Sequence, residues 1–247
     1  MSKEKKEKKK MSRRKKIIIG VVCGVVAAAG IGIGVFYCTF FPNPLAKNVT
    51  PDHISTGVMS VEGDSDTLIA YFSVANNREY TSEEIDAVSS ASLKVDDDGE
   101  AYGHAELYAI AAGEATGGDI FPIKTADLYP ESYSGAFGRH QSEMGTDVRP
   151  ELTEHLDSIE GYETVILIYP NWLSSLPQPV LSFLEEYDFS GKTIVPVATS
   201  QALGLGSGPE QIEELCPDAT VAEGLSVRNE DGLKDFLTEN GYAGGDK

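Results

Sequence analysis

Ser73 and the tripeptide Gly103-His104-Ala105 are the residues whose types best suit a small anion. Ser73 ends an apolar run and supplies a hydroxyl. Residues 103–105 open a predicted helix, whose first backbone N–H groups have no partner within the helix. A helix start of this kind binds phosphate and other anions. The same pattern is also compatible with a plain strand-to-helix connection that carries a long insertion.

Two further segments follow apolar runs and suit a planar ligand. Pro170, Asn171 and Trp172 include the only tryptophan of the chain, whose ring can stack on an aromatic ligand or simply cover the end of a sheet. The second segment is rich in glycine, which lets a ligand approach the backbone, but it lacks the lysine of a nucleotide-triphosphate loop. Its candidate residues are Thr199, Ser200, Gln201 and Gly204.

Other reactive side chains have simpler interpretations. Cys216 is the only cysteine after residue 41, which excludes a disulfide within the domain and favours a small core residue over a nucleophile. His53 and His155 have no metal-ligand partner at helical spacing, so we predict no metal site. The carboxylates are scattered and predict a solvated surface. A hydrolase on a similar sheet would need a Gly-x-Ser-x-Gly elbow, which the sequence lacks.

Strands and helices alternate along residues 67–240, which predicts a doubly wound α/β fold with a parallel sheet. The predicted strands are apolar runs at residues 67–74, 119–123, 164–169, 192–199 and 220–227. Helices are predicted at residues 105–116, 149–158, 177–187, 209–215 and 230–240, with a loop at 128–148. Ligands of such sheets bind outside the carboxyl ends of the strands, where the three candidate segments begin.

The N-terminal part has the composition of a membrane anchor. Residues 1–16 hold ten Lys and Arg, residues 17–41 carry no charge, and residues 42–65 are predicted as a stalk before a domain at 66–242. An apolar run of this length can cross a bilayer, and the basic flank favours a cytoplasmic N-terminus with the domain outside the cytoplasm. A cleaved signal peptide is the alternative, although no small-residue cleavage site follows the run.

Basic residues are concentrated at the start of the chain, and acidic residues predominate in the rest. The whole chain has a net charge of −19, whereas the part after residue 16 carries 10 basic and 37 acidic residues, a net charge of −27. Such a surface repels nucleic acid and anionic lipid, and it attracts basic proteins. We therefore expect no nucleic-acid partner.

Seven segments carry a family resemblance through their order and spacing. They are LIAYFS at 68–73, GDIFPI at 118–123, YPESY at 129–133, RPEL at 149–152, YPNW at 169–172, LP at 176–177 and FLEEYDFSGKTI at 183–194. Together they resemble a flavodoxin of the group with a long insertion after the first strand. The resemblance implies a five-stranded parallel sheet in the order 2-1-3-4-5, with FMN held non-covalently at its edge. It also implies that Ser73 and residues 103–105 bind the phosphate, and that residues 170–172 and 199–204 flank the ring.

The chain departs from that family pattern at all three loops. Relatives usually have Gly-Asn-Thr in place of Gly103-His104-Ala105, a second aromatic followed by glycine (Trp-Gly) in place of Leu173-Ser174, and Gly-Gly in place of Gln201-Ala202. A lost hydrogen bond to a charged phosphate weakens binding by up to about 3 kcal/mol, although a protonated His104 is one substitute for the missing threonine. Two functions remain open. One is FMN-dependent electron transfer with a basic or membrane-bound redox partner outside the cytoplasm. The other is a domain that has lost FMN and binds a partner or another ligand.

Overall fold

The computed structural model describes residues 49, 51–81, 93–96, 98–199 and 203–244. The chain divides into two compact units, Met1–Asn43 and Pro44–Lys247, and every described residue lies in the second. The predicted basic head and membrane anchor, residues 1–16 and 17–41, lie outside the described residues. Within the described ranges no helix has the length and apolar character that a bilayer crossing requires.

Strands and α-helices alternate through most of the described part of the chain. The strands are β1 Thr67–Tyr71, β2 Leu93–Val95, β3 Ala101–Gly103, β4 Asp119–Pro122, β5 Thr164–Tyr169, β6 Thr193–Ala198, β7 Thr220–Val221 and β8 Leu225–Ser226. The helices are α1 His104–Thr116, α2 Tyr133–Glu143, α3 Gln178–Glu186, α4 Gly208–Leu215 and α5 Glu230–Glu239. Short 3₁₀ helices lie at Pro51–His53 and Val74–Asn77.

The main sheet is parallel, and its strand order is β4-β1-β5-β6-β7, which confirms the predicted order 2-1-3-4-5. On β1, Leu68 pairs with Asp119 of β4 on one side and with Val165 of β5 on the other. Every residue of β1 is buried, as expected for a strand covered on both faces. The carboxyl ends of β1, β5 and β6 therefore lie side by side at one edge of the sheet.

The fifth strand is divided into β7 and β8, which both pair with β6, so the predicted five-stranded sheet has six strands. Proline explains the division. The carbonyls of Lys192, Ile194 and Ala198 accept hydrogen bonds from the fifth-strand region, which shows that even-numbered residues of β6 face it. Pro196 falls in this series and has no N–H to donate, so the ladder breaks beside it.

Successive residues of the strands pack under helices on opposite faces of the sheet. Leu68, Leu167 and Ile194 belong to a core that includes buried residues of α2, α3 and α4. Their neighbours Ile69, Ile166 and Val195 belong to a second core, which includes residues of α1 and α5. Helices on both faces confirm the predicted α/β class.

Helix α2 was missed by the sequence prediction, which placed a loop at residues 128–148. Ser132 caps the helix, because its hydroxyl accepts a hydrogen bond from the backbone N–H of Gly135 at 3.2 Å. The buried residues of α2 are Ala136, His140 and Glu143, so the side that faces the core is mainly polar in sequence. The sequence of α2 therefore lacks the hydrophobic periodicity by which a helix is predicted.

The helix predicted at residues 149–158 is wrong. Its backbone N–H groups bind distant acceptors instead of carbonyls one turn earlier. The N–H of Thr153 donates to the carbonyl of Lys124 at 2.9 Å, and the N–H of Leu156 donates to the hydroxyl of Tyr187 at 2.8 Å. These long-range hydrogen bonds hold the segment in an irregular conformation across the end of α3.

The connection between β1 and α1 contains the hairpin of β2 and β3, which pair antiparallel. A tight turn joins them, since the Gly99 N–H donates to the Asp96 carbonyl at 3.2 Å and Gly99 has a φ of 91°. This conformation favours glycine. The hairpin runs directly into α1, so β3 positions the helix start.

Part of the segment predicted as a stalk lies against the domain. Ile54 forms a bridge with Ala101 of the hairpin, and Ser60 forms a bridge with Ile120 of β4. Ile54 is buried together with residues of the hairpin in a third, small apolar cluster. Residues 51–60 therefore pack beside both the insertion and the edge of the main sheet.

Candidate functional site

The loops after β1, β5 and β6 meet at the carboxyl edge of the sheet. The ring of Phe72, after β1, lies 5.7 Å from the ring of Trp172, after β5, between centroids. Asn171 Nδ2 donates to the carbonyl of Gly204, after β6, at 2.8 Å. The structure thus brings together the three segments that the sequence singled out.

Ser73 and Gly103 bring the end of β1 against the start of α1. Ser73 is buried, and a Cβ placed on Gly103 would lie 2.1 Å from Ser73 Oγ, which is closer than real contacts allow. The N-cap residue of α1 is Gly103, which has no side chain to cap the helix, so within the described part of the chain the N–H groups of the first turn are open to another acceptor. An uncapped helix start with a hydroxyl beside it has the chemistry of an anion site.

His104 and Ala105 begin α1 in different environments. Ala105 is buried in the core, whereas His104 lines a cavity of about 200 Å³ together with Lys94, Arg228 and Glu230. Burial lowers the pKa of His104, and Lys94 lowers it further against the opposing effect of Glu230. The imidazole is therefore mainly neutral at pH 7 in the free protein. It does not by itself replace the missing threonine as a cationic ligand for phosphate.

The glycine-rich segment after β6 is hydrogen-bonded to the end of β5 and to the loop that follows it. The Thr199 N–H donates to the Tyr169 carbonyl at 2.8 Å, and the Ser207 N–H donates to the Ser174 carbonyl at 2.8 Å. Gly204 has a φ of 60°, in the left-handed region that favours glycine. Two residues of the predicted wall lie outside the described residues, namely Ser200 and Gln201.

Trp172 follows Pro170 and Asn171, and three aromatic rings of the protein pack against its indole. Its ring lies edge-on to Phe72, Tyr129 and His140, with centroids 5.7, 5.5 and 4.9 Å away. Nε2 of His140 lies 3.1 Å from the Trp172 carbonyl oxygen, and burial lowers the pKa of His140, so a neutral imidazole can donate to that carbonyl. Trp172 is half-buried. It covers the sheet end and still leaves part of its ring accessible.

A tight turn follows Trp172 and has an unusual backbone. Leu173 and Ser174 have φ of 52° and 67°, and the N–H groups of Trp172 and Ser175 bind each other's carbonyls. Two central residues with positive φ are typical of turns built from Asn and Gly. Leu173 and Ser174 therefore form a strained turn at the position where the sequence departs from the family pattern.

Ser174→Gly is expected to raise the unfolding free energy by about 0.5–1 kcal/mol, because glycine removes the strain of a left-handed residue. Part of that gain is offset by the greater freedom of glycine in the unfolded chain. Urea unfolding would measure it. Ser134→Gly is the matched control, since Ser134 lies in the first turn of α2 and the substitution should lower stability. Equal effects of the two substitutions would contradict strain at Ser174.

Sequence reasoning missed Glu106, which is fully buried in the first turn of α1. Its carboxylate accepts hydrogen bonds from Ser55 Oγ, from the Val58 N–H at 2.9 Å and from Asn76 Nδ2 at 3.0 Å. A carboxylate in the first turn of a helix was visible in the sequence. The hydrogen-bond partners of this carboxylate were not visible in the sequence, because Ser55 and Val58 lie before β1, far from Glu106 along the chain.

Two polar atoms beside the loops have no hydrogen-bond partner among the described residues, namely Tyr169 Oη and Asn171 Oδ1. Burial raises the pKa of Tyr169, so its hydroxyl remains protonated. Gly208 leaves room for this hydroxyl, since a Cβ there would lie 2.2 Å from it. Unpartnered buried polar atoms at a sheet edge are available to a ligand.

A parallel sheet in this order, with an uncapped helix start and two joined loops at its carboxyl edge, defines a flavodoxin-like domain. A family model described as Flavodoxin matches residues 100–240, more than half of the chain. The chain belongs to the flavodoxin family, and FMN is the cofactor that this membership supports. A search of curated proteins found no match.

Solved structures similar to this chain come from bacteria. A chain described as a flavoprotein from Bacteroides eggerthii is 24% identical with a TM-score of 0.53, covering 70% of this chain and 96% of that one. A second, from Bacteroides uniformis, is 24% identical with a TM-score of 0.54, covering 70% and 97%. A flavoprotein in complex with FMN from Lactobacillus acidophilus is 14% identical with a TM-score of 0.48, covering 70% and 97%. The two Bacteroides structures support the fold.

Proposed function

We propose that the chain binds FMN at the carboxyl edge of its sheet and carries electrons at the outer face of the cell membrane, anchored by residues 17–41. The observation that carries this proposal is the uncapped start of α1, which lies beside Ser73 at the switch point of a flavodoxin-family sheet. The joined loops after β5 and β6 lie at the same edge. When bound, FMN supplies the redox chemistry.

The residues present fit the phosphate end of FMN. The first-turn N–H groups of α1 and the hydroxyl of Ser73 would bind the phosphate, and Gly103 leaves the space in which helix and strand approach each other. Lys94, which pairs with Glu230, and Arg228 line the cavity next to His104, so Arg228 leaves a net positive charge near the helix start of an otherwise acidic domain. This local charge offsets the repulsion of phosphate by the general surface.

The residues at the other end fit a planar ring. Asn171 Oδ1 is an unpartnered acceptor available to a ring N–H, and Trp172 has an accessible part of its indole for stacking. Thr199 and Gly204, with Ser200 and Gln201, would form the opposite wall. Because Asn171 Nδ2 already binds Gly204, the two walls are held together before any ligand arrives, which lowers the entropy cost of binding.

The tether and the charge together suggest the kind of partner. Residues 17–41 would hold the domain at the membrane, with residues 1–16 in the cytoplasm. A carrier confined to a surface meets membrane-bound partners at high local concentration. The acidic domain would steer a basic redox protein toward it.

Titration of the full chain in detergent micelles with FMN tests the proposal. Trp172 is the only tryptophan, so quenching of its fluorescence reports binding at the site. We expect saturable quenching, with riboflavin at least about 10-fold weaker because it lacks the phosphate. Absence of quenching at high micromolar FMN would overturn the proposal.

FMN affinity is expected to rise about 3–10-fold as the pH falls from about 8 to about 6, because phosphate beside His104 favours the imidazolium and raises its pKa in the complex. Binding then takes up a proton that the free protein does not hold at neutral pH. Fluorescence titrations across this range would measure the effect. In His104→Gln, only the weaker titration of the phosphate itself should remain, and an unchanged pH profile would exclude His104 from the phosphate site.

A domain that has lost FMN is the second candidate function. Two observations favour it. Ala105 provides no hydroxyl for phosphate, and the indole of Trp172 already packs in T-shaped geometry against Phe72, Tyr129 and His140. The same edge of the sheet would then bind a protein partner or another ligand. A negative FMN titration on a folded protein is the result that would favour this alternative.

A further inference from the structure

A second cavity lies beside the start of α1, and its lining contains none of the residues assigned to FMN. It has a volume of about 280 Å³ and is lined by residues 51, 52 and 54–56, before β1, and by residues 75, 76, 78 and 80, which follow β1. The lining side chains that matter here are Asp52, Ser55, Asn76 and Arg78. None of these residues belongs to the proposed FMN site.

Arg78 is buried in the wall of this cavity, and the described residues supply no matching anion. Only 7% of the residue is exposed, and its buried Nε has no hydrogen-bond partner within the described ranges. Among the described residues, no carboxylate forms an ion pair with it. A guanidinium remains charged at any ordinary pH, so burying it unpaired is unfavourable. An anion that enters the cavity would satisfy it.

Asn76 supplies the complementary group. Its Nδ2 donates to the Ser55 carbonyl at 2.9 Å and to Glu106 Oε2 at 3.0 Å, which fixes the orientation of the amide. The remaining atom, Oδ1, is buried and has no partner. It accepts hydrogen bonds only, so it needs a donor. Two residues of the cavity lining therefore carry an unpartnered polar atom within the described part of the chain, namely Nε of Arg78, which suits an anion, and Oδ1 of Asn76, which suits a donor.

The charge of the lining limits the ligand further. Asp52 is exposed at the same cavity and opposes Arg78 in sign, so a strongly anionic ligand is disfavoured. We propose that this cavity binds a small α-amino acid. Its carboxylate pairs with Arg78, and its ammonium donates to Asn76 Oδ1 and faces Asp52. The cavity volume is sufficient for a small amino acid with its side chain.

The test is thermal unfolding and calorimetry of the full chain in detergent micelles with each of the twenty common amino acids. Acetate, which carries only the carboxylate, and methylamine, which carries only the ammonium group, serve as half-ligand controls. We expect at least one amino acid to raise the melting temperature and to bind at least tenfold more tightly than either half-ligand. Failure of every amino acid to do so would overturn the proposal.

Substitutions of Arg78 and Asp52 test whether Arg78 binds an added ligand or already forms an ion pair within the protein. Arg78→Gln should abolish amino-acid binding, Arg78→Lys should weaken it at least tenfold, and neither should lower the melting temperature of the free protein. A large loss of stability in Arg78→Gln would show that Arg78 already has a partner and would overturn the proposal. Asp52 is exposed, and Asp52→Asn should weaken amino-acid binding three- to tenfold without weakening the binding of acetate.

Two controls make the assignment specific. Lys234→Gln, which removes a cation paired with Glu114 on the surface, should leave amino-acid binding unchanged. FMN affinity should be the same in Arg78→Gln and in the unsubstituted chain, because no residue is shared with the proposed FMN site. A parallel loss in Lys234→Gln would mean that amino acids bind through general charge, and it would contradict the site.

Discussion

Glu106→Ala is expected to lower the unfolding free energy by about 3–5 kcal/mol. The carboxylate is fully buried and is the common acceptor of Ser55 Oγ, the Val58 N–H and Asn76 Nδ2. Alanine would leave these donors without an acceptor in a site that water reaches poorly. A loss of this size is a large part of the roughly 5–15 kcal/mol that stabilises a typical domain.

Urea unfolding followed by far-ultraviolet circular dichroism would measure this loss. Glu106→Gln should cost less, about 1–2 kcal/mol, because one acceptor oxygen remains. Glu114→Ala is the matched control on the same helix, where the carboxylate pairs with Lys234 at the surface and its side chain is 61% exposed. The control should change stability by less than about 0.5 kcal/mol. Similar losses for the two glutamates would show that the buried hydrogen bonds contribute little.

Gly103→Ala is expected to reduce FMN affinity at least about 10-fold and to lower stability by about 1–3 kcal/mol. The new Cβ would lie 2.1 Å from Ser73 Oγ and 3.1 Å from the Cβ of Ala75. Since Ser73 is only 5% exposed, its hydroxyl has little room to turn away. Either the hydroxyl leaves the helix start or α1 moves away from β1, and both changes disturb the proposed phosphate site.

The control for this substitution is Gly138→Ala, in the exposed part of α2. A Cβ there meets nothing within 4 Å, so stability should be unchanged or higher by up to about 1 kcal/mol, with unchanged FMN affinity. Adding Ser73→Ala to Gly103→Ala should recover part of the stability because it removes the shortest contact, that with Ser73 Oγ, yet FMN affinity should stay low. Normal FMN affinity in Gly103→Ala would mean that phosphate does not bind at this helix start.

Local patterns in the sequence were sufficient for the sheet and for most of the helices. Strands such as residues 164–169 are apolar throughout because both faces are covered, and the glycine after α1 marks its end, where Gly117 has a φ of 68°. The three loops could be placed at one edge because parallel strands share the direction of their carboxyl ends. These features depend on residues that are close in the chain.

Features that depend on distant residues could not be predicted. The buried residues of α2 follow helical spacing, but His140 and Glu143 are polar, so no hydrophobic period marks the helix. Ser55 binds Glu106 across a separation of 51 residues, and nothing in either local sequence indicates the other. The division of the fifth strand depends on Pro196, which lies on the neighbouring strand. In each case the decisive contact is tertiary.

The packing of residues 51–60 has a mechanical consequence. Tension applied to the chain from its N-terminal side reaches the bridge between Ile54 and Ala101 and the contacts of Ser55 and Val58 with Glu106 before it reaches β1. Glu106 belongs to the first turn of α1, whereas the interior strands are held by hydrogen bonds to neighbours on both sides. A pull on the proposed tether would therefore loosen the start of α1 at low force while the central sheet remained intact.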